Sequence, residues 1–270
     1  MDHPLDGVRL KLVRAEEHLK TIFQILDGFS IGKCEIIAEE DKNTNSGLLR
    51  VHLPKPDPQL RVIAGDFCYN VRSALDHLVW QLVIANPPHA PNRNNAFPIC
   101  SSQANFNDAK RRHRLDGVSA EAITLIDSFQ PYPGRKQALL TLSTIHDTDK
   151  HQTLNIVTAV ASDTAVEWYG DTSYFGFFLG SEELRDGAVF GDIALPFTEE
   201  MVSFLGKGET LSAFRDRFLK AKMEGEAAIF VAFDKAGAEE LEPLRVDTVL
   251  QEILDHIGQN IIPAFEPFFN

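Results

Sequence analysis

The sequence predicts an α+β fold in which a helical bundle is joined to a mostly antiparallel β-sheet. Three observations favour this class. Apolar residues recur at the helical period before residue 154, short β-rich segments separated by turn residues follow, and the helical pattern returns at the C-terminus. Runs of helices followed by runs of strands are typical of α+β proteins rather than of wound parallel sheets.

The first part of the chain is predicted to contain two long helices around a hairpin. Residues 5–29 carry apolar side chains three and four positions apart, as an amphipathic helix does. Turn residues at 41–47 separate two β-rich segments, which predicts a β-hairpin at 33–53. The next helix, at about 58–86, has the widest apolar stripe, so we expect it to be the most buried helix.

A polar crossing rich in Pro and Asn is predicted at 87–117, because Pro87-Pro88 ends the preceding helix. Ser119 is an N-cap candidate for a helix that ends before Pro131. A further helix is predicted near 135–150, where leucines recur at helical spacing.

The remaining elements are mainly strands. A short helix is predicted at Leu211–Lys222, and the last helix at Val246–Phe268. The predicted strands are Leu154–Ala161, Ala165–Tyr169, Tyr174–Leu179, Ala188–Ala194 and Ala227–Phe233. We therefore divide the chain into a mainly helical part at 1–153, which carries the inserted hairpin, and a β-rich part at 154–270, and expect one compact unit.

Composition and charge exclude several classes of protein. The net charge of −13 argues against bulk binding of duplex DNA, although the basic run at 110–114 could contact nucleic acid or be a solvated helix face. Cys34, Cys68 and Cys100 are odd in number and widely spaced, which indicates a reducing, cytoplasmic compartment. We expect no membrane span and no cofactor, since neither a long apolar run nor a dinucleotide or phosphate-loop motif is present.

The helix at 58–86 carries the first candidate site. Arg72 and Asp76 are four residues apart and can pair, while Ser73 and His77 continue a neighbouring row. Asn70 lies nearly on the face of His77. Polar groups within so apolar a helix must find hydrogen-bond or ion-pair partners. These partners could form a functional site; alternatively, Arg72 and Asp76 form a surface ion pair and His77 is capped by a neighbouring group.

The second candidate site is the segment His146-Asp147-Thr148-Asp149-Lys150-His151. Asp147 and His151 could both contact one metal ion, and a metal-dependent hydrolase would use His77, His146, Asp147 and His151. The alternative is a helix end at which Lys150 and His151 oppose the negative end of the dipole. We expect this segment to lie beside the polar face of the first helix, because buried charges are less costly when paired.

The pattern Arg-x4-His at Arg72 and His77 resembles the HEPN superfamily of helical-bundle proteins. The resemblance implies a metal-independent endoribonuclease, such as a defence or toxin component, that acts on RNA as a homodimer. By this resemblance Arg72 would stabilise the phosphate and His77 would act as the general acid or base, and Ser73 matches the small polar residue that usually follows the arginine. We expect Asn70, Ser73, Asp76, Asp149, Lys150 and His151 to support the site. Residues 70–77 with Asp149-Lys150-His151 also resemble uncharacterised bacterial proteins, which implies no activity.

Three functions therefore stay open. The first is a HEPN-like ribonuclease, whose chemistry needs a proton acceptor, a proton donor and a cation for the phosphorane. The second is a catalytically inactive binding or dimerisation module. The third is the metal-dependent hydrolase.

Overall fold

The computed structural model describes residues 3–29, 31–160, 167–170, 186–189, 195–204, 208, 210–220, 222–233 and 244–269. They form an α+β fold, as the sequence predicts. The chain forms two compact units. Unit 1 comprises residues 1–25, 58–155 and 233–270, and unit 2 comprises residues 26–57 and 156–232.

The described helices and strands follow in chain order. The helices are α1 (Asp6–Asp27), α2 (Gln59–Ile84), α3 (Gln103–Arg111), α4 (Ala120–Ser128), α5 (Ala138–His151), α6 (Glu199–Phe204), α7 (Leu211–Phe218), α8 (Val246–Asp255) and α9 (Ile262–Phe265). A π-helical turn at His256–Ile261 joins α8 to α9, and a 3₁₀ turn follows at Glu266–Phe269. The strands are β1 (Ile31–Asp41), β2 (Ser46–His52), β3 (Ile156–Val160), β4 (Glu167–Gly170), β5 (Leu195–Pro196), β6 (Lys222–Phe233) and β7 (Leu244–Arg245).

Helix α2 is the core helix of unit 1. It packs against α5, which in turn packs against α8, and the ring of His77 lies close to Gly7 of α1. The buried residues of α2 run along its whole length and are Leu60, Ala64, Gly65, Phe67, Cys68, Val71, Ala74, Leu75, Leu78, Val79, Leu82 and Val83. This apolar stripe confirms the burial expected from the sequence.

The crossing predicted at 87–117 contains a helix that the sequence analysis missed. Helix α3 begins after Ser102, whose hydroxyl accepts a hydrogen bond from the backbone of Asn105 at 3.3 Å. Only Phe106 of this helix is buried, so the segment lacks the apolar period on which the prediction depended. The predicted N-cap of α4 is confirmed, because Ser119 Oγ accepts from the Ala122 backbone at 3.2 Å.

The sheet of unit 2 has the strand order β3-β6-β1-β2-β5, and β4 also pairs with β6. Strands β1 and β2 form the predicted antiparallel hairpin, with Glu35 opposite His52 and Asp41 opposite Ser46. At its turn, Asp41 Oδ1 accepts from the Asn43 backbone at 2.9 Å. The other edge of β1 pairs with β6 antiparallel.

This pairing explains why the two units differ from the predicted division at residue 153. The hairpin belongs to unit 2 because β1 hydrogen-bonds to β6, and the C-terminal helices belong to unit 1 because α8 packs on α5. A pairing between residues so distant in sequence leaves no local trace in either segment.

The later strands are confirmed where the structure describes them. Strand β3 lies within the first predicted strand, β4 overlaps the second, and β6 is longer than predicted. Tyr174–Leu179 lies outside the described residues, as does most of Ala188–Ala194. Among the described residues, no helix combines the length and the apolarity needed to cross a membrane.

Candidate functional site

A polar pocket of about 830 Å³ opens in unit 1 between α2, α3, α5 and the loop at 97–100. Its lining is contributed by four segments of the chain. The lining residues are Tyr69, Arg72, Ser73, Asp76, Phe97, Pro98, Ile99, Cys100, Asn105, Asp108, Ala109, Arg112, Arg114, Ser143, His146, Asp147, Asp149 and Lys150. The two segments singled out in the sequence therefore converge on one pocket, as expected.

Helix α2 forms the floor of the polar pocket through Tyr69, Arg72, Ser73 and Asp76. Arg72, Ser73 and Asp76 follow Tyr69 by three, four and seven residues, so all four side chains share one face of the helix. Tyr69 is 63% exposed at the rim, whereas Arg72 and Asp76 extend under the loop at 97–100.

Arg72 and Asp76 together hold the backbone of Phe97. Arg72 Nη2 donates to the Phe97 carbonyl oxygen at 2.6 Å, and the Phe97 amide donates to Asp76 Oδ1 at 2.9 Å. The two side chains also form an ion pair, with Arg72 Nη2 3.2 Å from Asp76 Oδ1. The pair therefore fixes one wall of the pocket in addition to supplying charge.

The guanidinium of Arg72 is not fully satisfied by these contacts. Its Nη1 is buried and has no hydrogen-bond partner within the described part of the chain. Burial lowers the pKa of Arg72, Asp76 opposes this shift, and the positive charge of Arg114 lowers the pKa further. Arginine stays charged regardless, so a second cation beside it is an electrostatic cost that an anion would relieve.

Arg112 and Arg114 belong to the turn that ends α3. The turn is tight, because His113 has φ 62° and the Arg114 amide donates to the Ala109 carbonyl at 3.2 Å. Both arginines are exposed, and neither forms an ion pair with any residue that the structure describes. The turn thus presents two guanidinium groups at one end of the polar pocket.

Helix α5 forms the opposite wall with His146, Asp147, Asp149 and Lys150. The His146 side chain is 23% exposed, and its Nδ1 lies 3.7 Å from Asp147 Oδ1. Asp147 is 68% exposed and accepts a hydrogen bond from Ser143 Oγ at 3.4 Å.

Asp149 lies against the backbone of α2 at Gly65. A Cβ atom added to Gly65 would lie 2.4 Å from Asp149 Oδ2, so a larger residue there would require the carboxyl group or the helix to shift. Burial raises the pKa of Asp149, His146 opposes the shift, and Asp66 raises the pKa further. Asp149 is therefore easier to protonate than an ordinary aspartate.

The charges of the polar pocket are separated along its length. Asp76 is engaged by Arg72, and Asp108 pairs with Arg111, which lies outside the pocket. The remaining charges are Arg112 and Arg114 at the α3 end and Asp147, Asp149 and Lys150 on α5. The pocket is therefore basic at one end and acidic, with one lysine, at the other.

Three of the predicted site residues lie outside the polar pocket. His77 is exposed beside α1, and burial together with the charge of Lys11 lowers its pKa, against the effect of Asp76. The Asn70 side chain donates to the Asp66 carbonyl at 2.8 Å, and His151 is exposed at the end of α5. Arg72 and His77 diverge because five residues turn a helix by about 140° beyond one full turn.

The four metal-ligand candidates, His77, His146, Asp147 and His151, do not lie together. His146 and Asp147 line the polar pocket, whereas His77 and His151 do not. Among the residues that the structure describes, no group of three or more His, Cys, Asp or Glu side chains is placed to hold a metal ion. The i, i+4 spacing of Asp147 and His151 was too weak a signal to fix a third ligand.

Two features of the site were missed by sequence reasoning. The loop at 97–100 was predicted only as part of the polar crossing at 87–117 and not as a wall of the pocket, since its contacts with Arg72 and Asp76 are made by backbone groups. Gly65 could have been noticed, because a glycine within a strongly apolar helix indicates a close approach by another group.

No protein-family model, no curated protein and no solved structure matches this chain.

Proposed function

We propose that the polar pocket binds single-stranded RNA and that the protein is a HEPN-like, metal-independent endoribonuclease. The observation that carries this proposal is the guanidinium of Arg72, which has an unpartnered buried nitrogen and a second arginine beside it. A phosphate group between Arg72 and Arg114 would supply the missing hydrogen bond and neutralise the repulsion. Arginine suits this role because its planar fork matches phosphate oxygens.

The size and the lining of the polar pocket support a nucleotide as the bound unit. A volume of about 830 Å³ lies within the range of small-molecule sites. Tyr69 at the rim offers a face on which a base can stack, as aromatic residues do in proteins that bind single-stranded RNA. Asp147 at the other end can accept hydrogen bonds from ribose hydroxyl groups.

The acidic chain limits where RNA can bind. With a net charge of −13, most of the surface repels phosphate groups, so the binding must be local. Arg112 and Arg114 provide such a local basic surface beside the pocket.

The homodimer implied by the resemblance belongs to this proposal. Helix α2 also exposes the apolar side chains of Val62, Trp80 and Ile84 in one stripe. Exposed apolar residues in one stripe are typical of an interaction surface, and we propose that a second copy covers this stripe. The buried free thiols of Cys34, Cys68 and Cys100 support a cytoplasmic location.

The experiment is RNA binding and cleavage by the full chain in EDTA. We expect Arg112→Ala and Arg114→Ala each to weaken binding of a single-stranded RNA oligonucleotide and to reduce the slope of log Kd against log salt by about 0.7, the value for one phosphate contact. Fluorescence anisotropy at several salt concentrations measures both effects. Both side chains are exposed, so neither change should impair folding.

The matched control is Arg93→Ala, which removes an exposed arginine that does not line the pocket. It should leave the affinity and the salt slope close to those of the wild-type protein. Equal losses for Arg93, Arg112 and Arg114 would show only that any surface charge matters, and the proposed pocket would be rejected.

A catalytically inactive binding module is the second candidate function. The observation that favours it is the engagement of Arg72 and Asp76 with the Phe97 backbone, which gives both residues a structural role. RNA binding without cleavage in EDTA would favour this module over the ribonuclease.

A further inference from the structure

We infer that His146 and Asp149 on α5 form the proton-transfer pair of the polar pocket, in the place that the sequence resemblance gives to His77. The inference rests on the proposed ribonuclease function and names the groups of that site that carry out the chemistry. It follows from the positions of His146, Asp149 and His77 relative to the pocket.

His146 shares the polar pocket with Arg72, whereas His77 of the same chain does not. The His146 ring is largely buried but open to the pocket, and it makes no hydrogen bond with the residues that the structure describes. Asp147 lies 3.7 Å from Nδ1 and can stabilise positive charge on the ring. An imidazole that opens onto the pocket in this way is placed to act as a general base.

Asp149 is the second group of the pair. Its carboxyl group rests on Gly65 and, within the described part of the chain, forms neither a hydrogen bond nor an ion pair. Partial burial of the carboxyl group raises the pKa of Asp149 above the ordinary value for an aspartate. A protonated carboxyl group of this kind can act as a general acid.

The reaction these groups support is transesterification of RNA. His146 removes the proton of the 2′-hydroxyl group, the 2′-oxygen forms a bond to phosphorus, and the bond from phosphorus to the 5′-oxygen breaks. Asp149 donates its proton to the leaving 5′-oxygen, and Arg72 with Arg114 stabilises the charge on the phosphorane. The products are a 2′,3′-cyclic phosphate and a 5′-hydroxyl group, and no water, metal or oxidant is consumed.

The first test compares histidine variants of the full chain on a fluorogenic single-stranded RNA in EDTA. We expect His146→Gln to slow cleavage by about 10²–10⁴-fold while the Kd for RNA stays close to the wild-type value. The matched control is His89→Gln, which changes an exposed ring outside the pocket and should cleave like the wild type.

The second test is the pH profile of kcat/KM, which a purely structural role would not change. The wild-type profile should show a falling limb at high pH, where Asp149 loses its proton. Asp149→Asn should lower the rate and remove the falling limb, because the amide cannot titrate. His146→Gln should lower the rate but keep the falling limb of Asp149.

The outcomes separate this inference from the proposed function. If His77→Gln loses as much activity as expected for His146→Gln while His146→Gln cleaves normally, the inference is wrong and the ribonuclease stands. Binding without cleavage by the wild-type protein also overturns the inference and leaves the binding module. Absence of RNA binding overturns the proposed function itself.

Discussion

Arg72 combines two roles that a sequence pattern cannot separate. Its Nη2 holds the Phe97 carbonyl, and its Nη1 is buried without a partner among the described residues. The spacing of Arg72 and Asp76 predicts their ion pair, which the structure confirms. The contact with Phe97 could not be predicted, because a backbone group offers no residue type to recognise.

Gly65→Ala should destabilise the protein, although alanine is normally the better helix former by about 1 kcal/mol. The new Cβ atom would meet Asp149 Oδ2 at 2.4 Å in a buried position, so the carboxyl group or the helix must shift. Overpacking of this kind typically costs about 1–3 kcal/mol. Urea denaturation measures the change in the free energy of unfolding.

Two further variants identify the cause. Gly258→Ala is the matched control, because nothing lies within 4 Å of its added Cβ atom. The double variant Gly65→Ala/Asp149→Ala should recover most of the loss, since the clashing group has been removed. A Gly65→Ala protein that is as stable as the wild type would contradict the close contact with Asp149.

At the scale of elements, strongly periodic helices were predictable and weakly periodic ones were not. Helix α2 and the hairpin of β1 and β2 follow from their patterns, and both are confirmed. Helix α3 was missed because Phe106 is its only buried residue. The basic run at 110–114 was named from the sequence as a possible nucleic-acid contact, but without α3 the sequence could not place Arg112 and Arg114 at the pocket.

The π-helical turn after α8 should make stability depend on pH. His256 is buried against Phe129, its Nδ1 has no partner within the described chain, and burial with the nearby Lys136 lowers its pKa from 6.5. Because the unfolded chain then binds the proton more readily, stability is retained above about pH 6.5 and is lost as the pH falls toward the folded pKa. His18 and His77 have shifts of the same sign.

His256→Asn isolates this contribution, because asparagine does not titrate. The free energy of unfolding should fall less between about pH 7.5 and pH 5.5 in the variant than in the wild-type protein. Chemical denaturation at both pH values gives the two differences. Identical differences would assign the acid sensitivity to other groups.

At the scale of the whole molecule, the division into units was the hardest property to predict. The order of helices and strands correctly indicates an α+β fold. Which unit each helix or strand belongs to depends on pairings such as Ile31 with Ala228, which join residues far apart in the chain. Such pairings are set by the assembled sheet and by packing, and neither segment encodes its partner locally.

The proposed homodimer gives a prediction for the intact protein. Trp80→Asp and Ile84→Asp should each convert a dimer to a monomer, because each places a charge within the exposed apolar stripe of α2. Leu10→Asp, at an exposed apolar position of α1, is the control and should leave the dimer intact. Analytical ultracentrifugation distinguishes the two states. A wild-type protein that sediments as a monomer would rule out the second copy as the occupant of this surface.

The contact of Phe97 with α2 has a spectroscopic consequence. An amide in an irregular loop usually exchanges quickly with solvent, but the Phe97 amide is bonded to Asp76 and its residue is fully buried. Its exchange rate and its ¹⁵N–¹H chemical shift therefore depend on the charge and position of Asp76 and, through the ion pair, of Arg72. One resonance in the wall of the pocket thus records whether the pocket is occupied.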